Sequence, residues 1–253
     1  MVTFSLQSGS SGNCIYVEAD GVRLLFDAGV AGTQTESRLR AHGRNIREVD
    51  ALIISHDHDD HVRCSGVLHR KFGLPIHMTY TTQAAIRCDV GDLGHVNRFY
   101  SGDTLRFGDV AVHTVPTPHD AADGVAFVVE HAGRRLGILT DLGHPFERMR
   151  KLLPTLDAVY LESNYDPELL RAGTYPPHVK KRIMGPHGHL SNHEAAELIH
   201  GATRRLQWAV LAHLSANNNT PELAVTTSRK AVGRKLPLWV ASRGSAGELL
   251  CVR

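Results

Sequence analysis

Short apolar runs alternate with polar, glycine-bearing turns along most of the chain. Residues 22–27 (Val-Arg-Leu-Leu-Phe-Asp) predict a buried strand that ends in the turn Asp27-Ala28-Gly29. Residues 50–55 (Asp-Ala-Leu-Ile-Ile-Ser) predict a second strand, apolar and β-branched. Residues 36–42, between them, read as a short helix. After His61, the spacing of Val62, Val67, Leu68 and Phe72 predicts a helix that stops near Gly73, with Pro75 beyond. Further strands are expected at 110–115, 125–129, 135–140 and 157–161, helices at 191–206 and 221–233, and a last strand at 238–241. Strands and helices mix in both halves, so the class is α/β or α+β.

Two stretches repeat weakly. Arg23-Leu-x-x-Asp27-x-Gly29 recurs, two residues longer, as Arg135-Leu-x-x-x-x-Asp141-x-Gly143. Asp50-Ala-Leu-Ile-Ile-Ser recurs as Asp157-Ala-Val-Tyr-Leu-Glu. A duplicated half would set Asp27 opposite Asp141, and the loop after Ser55 opposite the loop after Glu162. No linker or low-complexity segment separates the halves, so residues 1–253 are expected to form one domain.

Composition excludes several classes. With 42% hydrophobic and 21% charged residues the chain is not intrinsically disordered. No apolar run approaches the roughly 20 residues of a membrane helix. The start, Met1-Val-Thr-Phe-Ser, lacks a basic n-region and an apolar h-region, and a cytoplasmic location is expected. A net charge of +2 and a pI of 8.4 do not mark a dedicated electrostatic nucleic-acid binder. Cys14, Cys64, Cys88 and Cys251 form no CxxC pair and are expected as free thiols. Histidine is the outlier, at 17 of 253 residues.

The histidines cluster. Directly after the second strand stands His56-Asp57-His58-Asp59-Asp60-His61. At this composition an H-x-H-x-D-H pattern is expected by chance only roughly 0.004 times. Residues i and i+2 at a strand end point the same way, so His56 and His58 can offer two imidazoles to one metal. The chain then bends toward a helix, and Asp60 and His61 can turn to a second metal. His119, Asp141 and His213 also follow predicted strands and complete the candidate ligand set, with Asp141 able to bridge. His42, His69, His77, His95, His113, His131, His144 and His200 lack that placement.

Asp27-Ala-Gly, His56-x-His-x-Asp-His61, His119, Asp141 and His213, in this order, resemble the metallo-β-lactamase superfamily. The resemblance implies a four-layer αββα sandwich with a dinuclear site at one end of two facing sheets. It assigns His56, His58 and His119 to one metal and Asp60, His61 and His213 to the other, with Asp141 between them. Asp27 would orient the metal loop by hydrogen bonds. Ser10-Ser-Gly-Asn13, Thr140-Asp-Leu-Gly143, Glu162-Ser-Asn164, Tyr175-Pro, Gly188-His-Leu-Ser-Asn192 and Ala212-His-Leu-Ser215 followed by Asn217-Asn-Asn219 narrow it to one branch. They are similar to the compact bacterial WalJ-type nucleases, which are 5′-to-3′ DNA exonucleases. Tyr165 departs from that pattern, which has a second histidine after Ser-Asn. The chain also has no room for the inserted clamp domain of the larger ribonucleases.

Ser191 or Asn192, followed by Glu194 and an apolar run, reads as a helix N-cap, and a helix start offers free N–H groups to an anion. His189 and Ser191, with Asn164 and Ser215 of the neighbouring motifs, are the candidate phosphate-binding residues. The basic run Lys180-Lys181-Arg182 lies just upstream. The expected chemistry is phosphodiester hydrolysis by a hydroxide shared between two divalent ions about 3.5–4 Å apart. Asp60 and His189 are the candidate catalytic residues, His189 as general acid. Mixed His and carboxylate ligation suits Zn²⁺ first and also Mn²⁺ or Fe²⁺. The expected substrate is nucleic acid, DNA ahead of RNA, with no membrane and no obligate protein partner. The rivals are a thioester or lactone hydrolase with a small apolar acyl pocket, and a metal-stabilised binding or regulatory module.

Overall fold

The computed structural model describes residues 1–253. The first half contributes β1 (Val2–Gln7), β2 (Cys14–Ala19), β3 (Val22–Phe26), α1 (Gly32–Ala41), β4 (Ala51–Ile53), α2 (Asp59–Val62), α3 (Ser65–Phe72), β5 (Ile76–Thr79), α4 (Tyr80–Ala85) and β6 (Val96–Phe99). The second contributes β7 (Thr104–Phe107), β8 (Val110–Pro116), β9 (Val125–His131), β10 (Arg134–Leu139), α5 (Glu147–Leu152), β11 (Ala158–Glu162), α6 (Pro167–Ala172), α7 (Pro177–Ile183), α8 (Asn192–Ala202), β12 (Trp208–Ala212), α9 (Pro221–Val232) and β13 (Leu238–Val240). The closing strand β14 (Leu250–Cys251) returns to the first sheet beside β1.

The strands form two sheets of seven, ordered β14-β1-β2-β3-β4-β5-β6 and β13-β12-β11-β10-β9-β8-β7. Each has the same plan. β1, β2 and β3 are antiparallel and β3 to β6 parallel. β8, β9 and β10 are antiparallel and β10 to β13 parallel. β14 and β7 add an antiparallel outer strand to β1 and β8. The repeat in the sequence is thus a repeat of structure, down to one bond. The Asp50 carboxylate accepts from Arg23 N–H at 2.7 Å, and the Asp157 carboxylate from Arg135 N–H at 2.8 Å.

Three apolar layers hold the four layers of structure together. One of 23 buried residues lies between the sheets, with Phe26 of β3 against Phe127 of β9 at 5.0 Å between ring centroids. Another of 19 joins the first sheet to α1 and α3, and a third of 21 joins the second sheet to α5, α8 and α9. The layers are similar in size, so neither sheet has a free apolar face, as an αββα sandwich requires. No helix is long and apolar enough to cross a membrane.

Element ends differ from expectation for local reasons. The helix predicted after His61 is two helices, because Cys64 N–H donates to the Ala28 carbonyl (2.9 Å) and turns the chain at the junction. It stops at Gly73 in the left-handed region (φ 77°), as its position implied. α1 begins at Gly32, four residues before the predicted start, and α8 ends at Ala202, four before the predicted end. The strands β1, β2, β5, β6 and β7 were not foreseen.

Candidate active site

Six parallel strands, β3, β4, β5 and β10, β11, β12, end on the same side of the sandwich, and the loops that leave them build the site. Three site residues right after strand ends adopt left-handed backbone: Asp27 (φ 67°), Asp141 (φ 55°) and His213 (φ 56°). Such conformations cost about 1–3 kcal/mol each and persist where surrounding bonds fix them. Here Asp27 N–H donates to Ile53 O at 2.9 Å, and His213 N–H to Ser8 Oγ at 2.9 Å. The His56–His61 loop is drawn in by Asn13 N–H to Asp60 O (2.8 Å) and Ala28 N–H to His61 O (2.6 Å). Gly29 permits that approach, since a Cβ there would lie 1.7 Å from Asp60 O.

The first half holds two imidazoles from behind. Asp27 Oδ2 lies 2.8 Å from His61 Nδ1, and Asp27 Oδ1 accepts from Ser55 N–H at 2.8 Å. Ser55 Oγ contacts His56 Nδ1 (2.9 Å) and His61 Nδ1 (3.2 Å). In the second half Glu162, at the position equivalent to Ser55, does the same. Its Oε1 lies 2.6 Å from His189 Nδ1 and 3.4 Å from His213 Nδ1, while Oε2 accepts from Leu142 N–H (3.0 Å) and Leu190 N–H (3.2 Å). His119 Nδ1 donates to Gly188 O at 2.8 Å. Acceptors behind Nδ1 leave the Nε2 lone pairs of His61, His119 and His189 for the front.

Donor atoms converge in two overlapping sets. His56, His58 and His119 form one, and Asp60, His61 and His213 another. Asp141 stands between them: Oδ2 is 3.2 Å from His61 Nε2, and Oδ1 is 3.6 Å from His119 Nε2 and 3.4 Å from His213 Nδ1. A third set joins Asp141, Glu162, His189 and His213. His56 Nε2 and Asp141 Oδ2 are buried without a hydrogen-bond partner; Oδ2 is near His61 but not in bonding geometry. Orphaned buried polar atoms are costly, and these are the two atoms a cation between the sets would satisfy. The donor set therefore fits divalent metal ions.

Electrostatics tell the same story. Burial pushes His56 and His119 well below the ordinary imidazole value, keeping both neutral as ligands must be. Burial opposes ionisation of Asp60, but the His61 and His213 rings beside it hold its carboxyl far below the usual range. Asp141 behaves likewise between His213 and His61. Burial also opposes charge on Glu162, yet His189 draws it down to about 2. Four buried groups are thus set against an intense local field, the mark of a functional site.

The front opens into a cavity of about 680 Å³ lined by Ser10, Asp57, His58, Asp59, Asp60, Arg87, Asp120, Asp141, Arg182, His189 and His213, none of them hydrophobic. Of the expected phosphate residues only His189 lines it. Ser191 caps α8: its Oγ accepts from Glu194 N–H, and its own N–H and hydroxyl donate to the Glu194 carboxylate at 2.8 and 2.7 Å. Buried and fully engaged, Ser191 has nothing left for a phosphate, so that expectation is corrected to a helix cap. Asn164 donates to His213 O (2.8 Å), and Ser215 Oγ accepts from Asn218 N–H (3.2 Å); both are buried braces outside the cavity wall. Tyr165 is buried too, and its carbonyl accepts from Asn192 N–H. Of the basic run only Arg182 reaches the cavity, bonded to Asp120.

Sequence reasoning assigned no role to Glu162, Asn13, Arg87 or Asp120. Glu162 carried a signal, since the internal repeat aligns it with Ser55 beside the metal loop. Asn13 donates to Asp60 Oδ2 at 3.1 Å across 47 residues, a contact no local pattern announces.

Two facing sheets whose strand ends gather buried imidazoles and carboxylates around an open polar cavity define a metal-dependent hydrolase. The chain belongs to the metallo-β-lactamase superfamily, whose family model matches residues 8–179. It lies in the WalJ-type branch. It is 37% identical over 225 residues to the exodeoxyribonuclease YycJ of Bacillus anthracis, covering 87% of this chain and 84% of that one. It is 36% identical over 228 residues to the exodeoxyribonuclease WalJ of Streptococcus pneumoniae, covering 88% and 84%. Among solved structures, the metallo-β-lactamase fold protein YhfI from Bacillus subtilis superposes with a TM-score of 0.74 at 15% identity, over 98% of this chain and 99% of that one, a likeness of fold.

Proposed function

We propose that this protein is a DNA exonuclease that works 5′ to 3′ with two divalent ions, Zn²⁺ in first place and Mn²⁺ or Fe²⁺ as alternatives. The observation that carries the reading is the cavity, open beside the donor sets and lined by no hydrophobic residue. A thioester or lactone hydrolase needs an apolar acyl pocket there, and a binding module has no use for a cluster of converging ligands. The exodeoxyribonuclease names of relatives at 36–37% identity support DNA over RNA. Four unpaired cysteines fit a reducing compartment such as the cytoplasm. An apolar layer shared by both sheets supports one domain over residues 1–253.

In this reading His56, His58 and His119 hold one ion, Asp60, His61 and His213 the other, and Asp141 touches both. When bound, the ions supply Lewis acidity at phosphorus and a water of lowered pKa. Asp27 and Ser55 keep the His56 and His61 rings turned forward. Asp60 orients the attacking water as a proton acceptor. Glu162 fixes a proton on His189 Nδ1, so His189 delivers its other proton from Nε2 to the leaving oxygen. Replacing Glu162 by Gln keeps the shape and loses that orientation.

The test is digestion of linear duplex DNA labelled at the 5′ or the 3′ end by the metal-loaded protein. Early release of the 5′ label as mononucleotide is the expected result. Intact DNA together with hydrolysis of a thioester dye would overturn it.

A further inference from the structure

Two aromatic side chains play no part in the cavity or the cores. Tyr80 is 61% exposed and Tyr100 is 80% exposed. Their positions are coupled by topology. Tyr80 follows Thr79 at the end of β5, Tyr100 follows Phe99 at the end of β6, and Thr79 and Phe99 are register partners in that parallel pair. On its other side β5 pairs with β4, the strand that leads into His56. Both rings therefore stand at the site end of the first sheet, two strand spacings or about 10 Å from the ligand loop.

Cations accompany them. The Arg98 guanidinium lies 5.0 Å over the Tyr80 ring and is held there by Gln83 Oε1 at 3.2 Å. Arg87, exposed in the cavity wall, pairs with no carboxylate, whereas Arg182 is taken up by Asp120. Arg87 is thus the free positive charge at the mouth, on the segment that runs between Tyr80 and β6.

We propose that Arg87, Tyr80 and Tyr100 form a track for a single-stranded stretch of the DNA substrate beside the scissile bond. Arg87 takes a backbone phosphate and the two rings stack bases, a pairing of charge and aromatic faces suited to single strands of any sequence. In a duplex the base faces are covered by their neighbours, so the track selects single-stranded ends. A reach of about 10 Å corresponds to about three nucleotides at 3.4 Å each. The proposal rests on the DNA-hydrolase reading and adds the form of substrate.

The experiment compares wild type with the double variant Tyr80→Ala/Tyr100→Ala, both metal-loaded, on a long oligothymidylate and on the thymidine dinucleotide. Stacking contributions of about 1–3 kcal/mol per base predict a rise in KM for the long strand of about tenfold or more. The expected kcat on it, and turnover of the dinucleotide, are unchanged, and Tyr80→Phe/Tyr100→Phe restores the wild-type KM. An unchanged KM on the long strand, with wild type active, would overturn the track. So would an unchanged KM with a changed sedimentation mass, which would make the rings a self-association surface. Wild-type protein inactive on both probes would instead overturn the function reading beneath it.

Discussion

Asp141 is the residue on which the site turns, because its two carboxylate oxygens face different donor sets from one left-handed backbone position. Asn tolerates that backbone and removes the charge. Asp141→Asn is therefore expected to lose both ions together, read as metal per chain by elemental analysis. Retention of one ion would mean that Asp141 serves a single site. His213 gives a pH prediction. Burial opposes its charge, but Asp141 foremost, with Asp60 and Glu162, raises the imidazole to about 10. A folded value above the unfolded value of about 6.5 stabilises the protein fully below that pH and is lost as pH rises toward 10. His61, raised well above its ordinary value with Asp27 as its leading carboxylate partner, acts in the same sense. Chelator-treated protein should therefore lose urea resistance between pH 6.5 and 10, as read by circular dichroism. The metal-loaded form should not, because a ligating imidazole carries no proton on the bound nitrogen. At this scale the metal ligands were legible, since a strand end fixes where i and i+2 point. The partners behind them were not: Glu162 and Asn13 act across tens of residues.

At the scale of the element, the start of α8 separates capping from catalysis. Ser191 and Glu194 form a complete capping box, and His189 stands two residues earlier in the cavity wall. Ser191→Ala should cost about 1 kcal/mol of stability and Ser191→Gly only a few tenths, measured by urea unfolding, with DNA turnover unchanged in both. Loss of turnover without loss of stability would return Ser191 to the substrate. The sequence pattern Ser-x-x-Glu was sufficient to locate this helix start. It was not sufficient to show that the hydroxyl had no capacity left, because that depends on burial. Strands β1 and β2 were missed for a related reason: both are almost wholly buried, so their side chains show no clean alternation of apolar and polar. The split between α2 and α3 depends on a bond to Ala28, 36 residues away.

For the whole molecule, duplication explains why one end of the sandwich holds the chemistry. Each half presents the ends of three parallel strands, and facing the sheets brings Asp27, the His56–His61 loop, Asp141 and His213 together. The inter-sheet layer maintains that alignment. Phe127→Ala, which empties the space against Phe26, should cost about 3–5 kcal/mol in urea unfolding. A cost below 1 kcal/mol would show that the sheets do not depend on this contact. The repeat of Arg23 to Ser55 in Arg135 to Glu162 made this architecture visible in the sequence, because the Asp50 and Asp157 carboxylates keep the same backbone bond in both halves. The edges were not visible, since β6, β7 and β14 are short and lie at sheet margins where pairing is set by neighbours distant in the chain.

The central claim is that two ions, held by the converging imidazoles and carboxylates, are needed for hydrolysis of DNA. It is tested most directly by stripping the protein with a chelator and returning a divalent ion stepwise while nucleotide release from linear DNA is followed. The account predicts no release from the stripped protein and a rise that levels off at two equivalents per chain. Full release from the stripped protein would contradict it.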